Sequence, residues 1–344
     1  MIRLSVATIT DLASLRAALQ DALRLEFFTI PPYLTAHHTL SGSSRAAPFA
    51  RSTIRDIVRD EMLHMNLVCN ILNAIGGTPD IRAAVPKYPN PLPMALAGGL
   101  TVHLKRYSRN LVEGVFMEIE KPETPIDIPV RREAFAAAGP QTIGQFYGMI
   151  RSEIVRQAGD GIFTGPKERQ VKEFFAGRGE NIVVSDRDTA LLAIDTIVEQ
   201  GEGTPQSPID LQHDIAHYYS FQQLSKAMQL KPLPSPHFDP AEPLVIDDDA
   251  DVIRMVDDPQ LVAIDPGDAN ALALSAECDR NFSEIVDTLH AGFSGDPDQL
   301  SFIDETMRSF GASINQLLAQ PLTAGPGAGF HAGPRFLYSP APRP

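Results

Sequence analysis

The stretch Asp60-Glu61-Met62-Leu63-His64-Met65 lies in a segment whose apolar residues recur with the spacing of one helix face. The predicted helix begins after Ser52 and ends at Gly76-Gly77, a clear stop signal. Its apolar stripe includes Glu61 and His64, and their i, i+3 spacing places both side chains on one face. Because a buried charged carboxylate is costly unless something pairs with it, this Glu-x-x-His pair predicts a metal ion between helices.

A second acidic residue interrupts the apolar stripe of the preceding predicted helix. Glu26 lies roughly four turns before the end of that helix, and Glu61 lies roughly two to three turns after the start of its own. In an antiparallel pair these heights match approximately, so Glu26, Glu61 and His64 are predicted to converge. Pro31-Pro32, farther along the first helix, is predicted to kink or interrupt it.

The rest of the chain predicts further helices separated by connections rich in proline and glycine. The first helix is expected from about Asp11 to about Leu40, with Thr10 as N-cap, and a long crossover is expected from about Gly77 to Pro140. That crossover is predicted to hold a short strand at Val102-His103-Leu104 and a helix from about Leu111 to Glu120. Later helices are expected near Thr142, from Ser185, from about Pro208 to Met228, from about Ala269 to Gly292 and from Asp298 to Ala319, with a surface connection over about 231–268.

The second half of the chain offers further candidate ligands. Two-metal carboxylate bundles carry one glutamate on each of two helices and Glu-x-x-His on the other two. Glu199 and Glu202 have that spacing, with a glutamate in the histidine position. His217 shares a face with apolar residues, and it also forms with His213 an i, i+4 pair of a kind that binds metal on helices.

The helix near Thr142 leaves two candidates open. Periodicity favours Glu153 as its ligand, whereas the expected height in the bundle favours Gln145. Carboxylates neutralise and bridge two cations, and imidazoles complete each coordination shell while leaving positions for oxygen. The sequence therefore predicts Glu26, Glu61, His64, Glu153, Glu199, Glu202 and His217 as candidate metal ligands.

Composition limits the function classes. The 344-residue chain has a net charge of −14, which argues against nucleic acid and against an anionic membrane surface as partners. No apolar run approaches the length of a membrane span, and the first residues resemble no signal peptide, so a cytoplasmic location is expected. Two cysteines make neither a disulfide framework nor a cysteine-based metal site.

A series of motifs, in consistent order along most of the chain, resembles ferritin-like proteins related to iminophenyl-pyruvate dimer synthase of violacein biosynthesis. These motifs are Glu26–Leu34, Glu61–Met65, Asn70–Gly77, Phe116–Glu123, Thr142–Tyr147, Glu199–Gly203, His217–Phe221 and Ala332–Phe336.

The resemblance implies an all-α, ferritin-like four-helix bundle over residues 1–230, followed by a helical C-terminal extension over 231–344. It also implies that Glu120 sits at a motif position, although periodicity gives this residue no role. An acid is common in the family where this chain has Gln145, so the resemblance allows an altered or mononuclear metal site. The family reaction couples two imine molecules derived from aromatic amino acids.

The expected function is that of a non-haem metal-dependent oxidoreductase of this type, acting on a small organic substrate in specialised metabolism with dioxygen or peroxide. The expected cofactor is di-iron, with manganese or a mononuclear site as alternatives. Two other classes stay open: a metal-binding or iron-storage protein, and a degenerate scaffold. A homo-oligomer is among the assemblies that the sequence allows.

Overall fold

The computed structural model describes residues 9–126, 128, 142–173, 181–204, 207–210 and 212–340. Its helices, in chain order, are α1 (Leu12–Thr39), α2 (Ala46–Ala74), α3 (Ile81–Ala84), α4 (Arg109–Leu111), α5 (Met117–Ile119), α6 (Ile143–Gln157), α7 (Arg187–Glu202), α8 (His217–Lys226), α9 (Ala269–Ser294) and α10 (Ile303–Leu318). Two antiparallel hairpins pair β1 (Asn90–Pro91) with β2 (Thr101–Val102) and β3 (Met228–Lys231) with β4 (His237–Pro243). Short 3₁₀ turns occupy Ala158–Asp160, Lys167–Arg169, Pro259–Leu261, Pro297–Phe302 and Gly325–Gly327, and Pro93–Gly99 forms irregular turns with left-handed backbone.

A four-helix arrangement forms the centre of the molecule. Helix α1 packs along α2, α2 packs against α7, α7 packs against α6, and α6 returns to α1. Helices α9 and α10 pack on each other and cover the outer side of α1 and α2. The α1–α2 pair is therefore a middle layer with a packed helix layer on each of its two faces.

Helix α1 is more continuous than expected, and its bounds lie one residue inside the predicted ones at each end. Its N-cap is Asp11, one residue after the predicted Thr10, and the Asp11 carboxylate accepts from the Ser14 backbone N–H at 2.8 Å. Pro31 and Pro32 do not end the helix, so the predicted interruption is wrong. Pro32 has no N–H for the carbonyl of Phe28, four residues earlier, and the Tyr88 hydroxyl donates to that carbonyl oxygen at 2.6 Å.

Two further helix boundaries differ from their predictions. Helix α2 begins at Ala46 rather than after Ser52, so the predicted start was too late. Helix α8 begins at His217 rather than near Pro208, because the chain before it forms isolated bridges. His213 lies in this loop with a φ of 68°, so His213 and His217 are not the i, i+4 helical pair that the sequence predicted.

The crossover contains the predicted helix, with an unexpected internal turn. Residues 109–119 are helical throughout, but the segment Val112–Phe116 between α4 and α5 has π-type hydrogen bonding. We call residues 109–119 the crossover helix. Such turns insert an extra residue and occur frequently at functional sites. The predicted strand at Val102-His103-Leu104 is confirmed only at Val102, in β2.

The C-terminal part contributes to the same hydrophobic core as the bundle. One cluster of buried side chains contains Leu19 of α1, Leu67 of α2, Val286 of α9 and Leu317 of α10. The β3–β4 hairpin occupies the start of the segment that was predicted to be a surface connection, and strand pairing there was not predicted. The division between residues 230 and 231 falls within β3 and stays a prediction.

Among the described residues, none of the helices combines the length and the apolarity that a membrane-spanning segment requires.

Candidate metal centre

Two groups of potential metal ligands meet at one buried glutamate. Glu26, Glu61 and His64 form the first group, and Glu61, Glu120 and His217 form the second. In each group, ligand atoms lie within 4.8 Å of one another. All five residues are at most 4% exposed. Glu61 thus lies between two Glu/Glu/His sets and has the position of a bridging carboxylate.

The two histidines have equivalent orientations. His64 Nδ1 lies 3.3 Å from Glu26 Oε2, while His64 Nε2 lies 2.9 Å from Gln200 Oε1. His217 Nδ1 lies 3.0 Å from Glu61 Oε1, while its Nε2 lies 3.3 Å from Asp60 Oδ2. In the neutral imidazole, a side-chain oxygen that accepts from Nε2–H leaves the lone pair on Nδ1. Both imidazoles therefore present Nδ1 to the carboxylates.

Each carboxylate also has a hydroxyl donor on the side away from the histidines. The Tyr147 hydroxyl donates to Glu26 Oε1, and the Tyr33 hydroxyl donates to Glu120 Oε1 at 2.5 Å. The Thr29 hydroxyl donates to Glu61 Oε2 at 2.8 Å. One oxygen of each glutamate is held in this way, and the other oxygen faces the cluster.

Electrostatic effects in the cluster raise several pKa values. Burial, followed by the nearby charge of Glu120, raises the pKa of Glu61 to about 7. Burial alone would lower the pKa of His64, but the hydrogen bond to Glu26 and the charges of Glu26 and Glu61 raise it. Burial likewise opposes ionisation of His217, but Asp60, Glu120 and Glu61 raise its pKa well above the ordinary value. The carboxylates thus create a strongly cation-binding interior.

These residues fit a pair of divalent cations. Oxygen and nitrogen ligands about 2.1 Å from one octahedral ion lie about 3 Å apart, close to the separation of His217 Nδ1 and Glu61 Oε1. These two atoms are not aligned for a hydrogen bond, and Nδ1 has no other hydrogen-bond partner among the described residues. Three ionised carboxylates need positive charge to be buried together. Mixed carboxylate and imidazole donors suit iron and manganese.

The crossover helix and α8 supply two of the three ligands in the second group. Glu120 directly follows the crossover helix, and His217 is the first residue of α8. Tyr33, Phe116 and Phe221 pack together with ring centroids 4.6–5.2 Å apart, which joins α1, the crossover helix and α8 beside the ligands. Aromatic packing of this kind fixes the positions of Glu120 and His217.

Glu153 and Glu202 are placed elsewhere. Glu153, near the end of α6, accepts from Arg156 Nε at 3.0 Å and from Gln157 Nε2 at 2.5 Å. Glu202 accepts from the Gly144 backbone N–H at 2.7 Å, at the N-terminus of α6 where a carboxylate is stabilised by the helix dipole. Burial raises the pKa of Glu202 to about 7. Neither glutamate belongs to the two clusters found among the described residues.

Glu199 and Gln145 also lie outside both clusters. Glu199 is half-buried on α7, and the neighbouring Gln200 is the α7 residue that reaches His64. Gln145 forms a capping box with Thr142, since its Oε1 accepts from the Thr142 backbone N–H at 3.0 Å. Tyr147 is the α6 residue that contacts the centre, because its hydroxyl donates a hydrogen bond to Glu26.

Sequence reasoning missed the residues that hold the ligands. Asp60, Gln200 and Tyr147 had no assigned role, and Glu120 was noted only through the family resemblance. A detectable signal was present for Asp60, which is a buried acid directly before Glu61. No comparable signal marks Gln200, because a glutamine in a helix stripe is compatible with many buried environments.

Replacement of Gln200 by alanine is expected to weaken metal binding at the Glu26–His64 side by about 10- to 100-fold, because the His64 tautomer is no longer fixed. Titration against a competing chelator of known affinity measures this change, with one of two binding steps affected. Gln157→Ala is a matched control, since Gln157 is also buried but contacts Glu153. Equal weakening of both steps would contradict the assignment of Gln200 to one side.

The fold and part of the sequence match known proteins. A family described as Ferritin-like matches residues 19–226. The crystal structure of a ferritin like protein from Caulobacter vibrioides is similar with a TM-score of 0.63, at 23% identity over 96% of this chain and 99% of that chain. No curated protein matches the sequence. These matches and the helical architecture confirm the predicted all-α, ferritin-like fold.

Proposed function

The chain belongs to the ferritin-like family, and we propose that it is a non-haem, two-metal oxidoreductase acting on a small organic substrate in specialised metabolism. The proposed metal is iron, with manganese as the alternative that the same ligands accept. The co-substrate is dioxygen or peroxide. The reaction is an oxidative coupling or oxygenation of the iminophenyl-pyruvate dimer synthase type.

The observation that carries the proposal is the pair of buried Glu/Glu/His groups sharing Glu61. Five side chains for two ions leave coordination positions open for small ligands, which a catalytic site requires. Two iron ions bound there would supply Lewis acidity and electrons for reactions of dioxygen or peroxide.

The surrounding residues orient the ligands and hold protons. Burial raises the pKa values of Tyr33 and Tyr147 well above 10, so both phenols stay protonated at neutral pH. Their protons remain on Oη and point at Glu120 and Glu26, which limits how far either carboxylate can turn. The ligand shell is thus held before any metal binds, which lowers the reorganisation that binding requires.

The substrate class rests on the sequence motifs. Segments Glu26–Leu34 and Ala332–Phe336 lie near opposite ends of the chain and resemble those of the dimer synthase family. The proposed substrates are therefore small imines or related oxidation products of aromatic amino acids.

Anaerobic loading with ferrous iron followed by exposure to dioxygen tests the proposal. The expected result is about two iron ions per chain, an optical spectrum without haem bands, and consumption of dioxygen while the iron stays bound. Iron uptake far beyond two ions per chain would instead support storage. Failure to bind iron or manganese after anaerobic reconstitution would support a scaffold, and either result would contradict the proposed enzyme.

A further inference from the structure

A large apolar cavity lies on the face of the α1–α2 pair opposite the metal centre. On α1, Glu26 and Tyr33 face the metal centre, whereas Phe27 and Leu34 line the cavity. The cavity has a volume of about 470 Å³ and is closed on its other side by α9 and α10. This volume falls in the range of small-molecule sites.

The chain end forms one wall of the cavity. Phe336 is 3% exposed and packs against Phe282 and Phe310, with ring centroids 5.4 and 5.7 Å away. Its φ of 50° is unusual for a bulky side chain and costs free energy. The adjacent Arg335 forms an ion pair with Asp279 of α9, which holds the strained segment in place. A strained backbone held at a cavity wall points to a ligand site.

The charges around the cavity favour an anionic group on the ligand. Arg55, Arg59 and Arg308 line it together with Asp304, and Arg55 is paired with Asp56 at 3.0 Å, whereas the chain as a whole has a net charge of −14. Arg308 is exposed at the rim and, within the described part of the chain, makes no hydrogen bond or ion pair. The cavity is therefore locally basic on an acidic protein.

The two histidines in the lining add hydrogen-bonding groups without charge. Burial, then the neighbouring His38, lowers the pKa of His37 to about 4. Burial also lowers the pKa of His38. Their Nδ1 atoms contact the Arg51 carbonyl oxygen and Asn315 Oδ1, so each Nε2 is left as an acceptor for water or a ligand hydroxyl. The arginines are thus the cations of this lining at neutral pH.

We propose that this cavity binds an apolar monocarboxylate, with its hydrocarbon body between α1–α2 and α9–α10 and its carboxylate at Arg308. The body would contact Phe27, Met62, Leu289 and Phe310, and methionine side chains adapt to irregular apolar ligands. The site is separate from the metal centre, so the inference does not depend on the proposed reaction.

Fluorescence titration of the metal-loaded full chain with anilinonaphthalene sulfonate, an apolar monoanion, tests this site. Saturable binding is expected, with displacement by decanoate at lower concentration than by decanol. Gly311→Leu is expected to weaken binding by about tenfold or more, because the new side chain fills cavity space. A Cβ at Gly311 itself meets only His38, at an ordinary 3.5 Å, so the helix tolerates the change.

Further variants separate the parts of the inference. Met307→Trp fills the cavity from a half-buried lining position and gives an independent result if Gly311→Leu fails to fold. Arg308→Glu is expected to weaken binding of the anion by about two- to fivefold, since exposed ion pairs contribute little. Arg280→Glu is the matched control, because Arg280 is an exposed arginine outside the cavity lining.

Three results would overturn the proposal. Unchanged affinity in a folded Gly311→Leu or Met307→Trp variant would show that the probe binds elsewhere. Equal displacement by decanol and decanoate would show that the carboxylate is not recognised. Loss of probe binding in Glu61→Ala, with no loss in the two cavity variants, would place the probe at the metal centre.

Discussion

Replacement of Glu61 by alanine is expected to abolish binding of both metal ions, so that content falls from about two ions per chain to nearly none. Glu61 belongs to both ligand groups, and its removal leaves each group with one glutamate and one histidine. Two ligands are too few to retain a divalent ion against buffer and chelators, because protein sites for such ions use at least three protein ligands. Elemental analysis of protein purified without chelators measures the result.

Variants of the other ligands distinguish a shared glutamate from two independent sites. Glu26→Ala and Glu120→Ala are each expected to lose about one ion per chain, because each removes a ligand from one group only. Glu153→Ala is the matched control, since Glu153 is a buried glutamate that pairs with Arg156 and is expected to leave the metal content unchanged. Retention of one ion by Glu61→Ala would show that Glu61 does not bridge.

The first group of ligands could be predicted from the sequence because its residues lie on regular helices. Glu26, Glu61 and His64 lie on long uninterrupted helices, where a period of about 3.6 residues correctly predicts which side chains share a face. The costly burial of a carboxylate then identifies the residues that need a cation. The structure brings these three side chains together as expected, and their role as ligands stays a prediction.

The other two ligands, Glu120 and His217, depend on irregular backbone that periodicity does not describe. The π-type turn at Val112–Phe116 changes the register of the crossover helix, so counting in steps of 3.6 residues does not find Glu120. His217 begins its helix instead of lying in the middle of one, so the expected stripe did not reveal its partners. In both places the ligand lies at an end of a helix, where sequence patterns are weakest.

Helices α6 and α7 show a different limit of predicting metal ligands from the sequence. Glu153, which periodicity favoured, is buried, and Glu202, a candidate from its spacing to Glu199, is half-buried. Their partners are Arg156 and the N-terminus of α6, which no stripe pattern reveals. A buried acid indicates that a partner exists, but its identity depends on which helix ends and cations the fold places beside it.

Removal of the metal is expected to lower the free energy of unfolding by several kcal/mol. An ion that binds only the folded chain stabilises it by about 4 kcal/mol when present at about a thousand times its Kd. Without the ion, Glu26, Glu61 and Glu120 remain buried together, and their mutual repulsion adds to the loss. Thermal unfolding with and without a chelator measures the difference, at about 1–2 °C per kcal/mol for a chain of this size.

The stability that is lost when the metal is removed is expected to grow as pH rises. The pKa of Glu61 in the folded metal-free chain is raised from 4.5 to about 7, so the folded chain keeps this proton where the unfolded chain has released it. Stability therefore falls as pH rises from about 4.5 to about 7, and the full cost of about 3 kcal/mol is present above that range. The raised pKa of His217 acts in the same direction, since its stabilisation is present at low pH and is lost as pH rises through the folded value.

The metal-loaded protein is expected to show the opposite trend, because metal binding requires deprotonated ligands and strengthens as pH rises. The melting temperature of the metal-free chain should thus be lower at about pH 8 than at about pH 6, while that of the loaded chain should be higher. Glu61→Gln removes the titrating group, so the melting temperature of the metal-free variant should fall less between these two pH values. At about pH 8 the metal-free variant should melt at a higher temperature than metal-free wild type. If the metal-free wild type were equally stable at both, Glu61 would not carry a raised pKa in the folded chain.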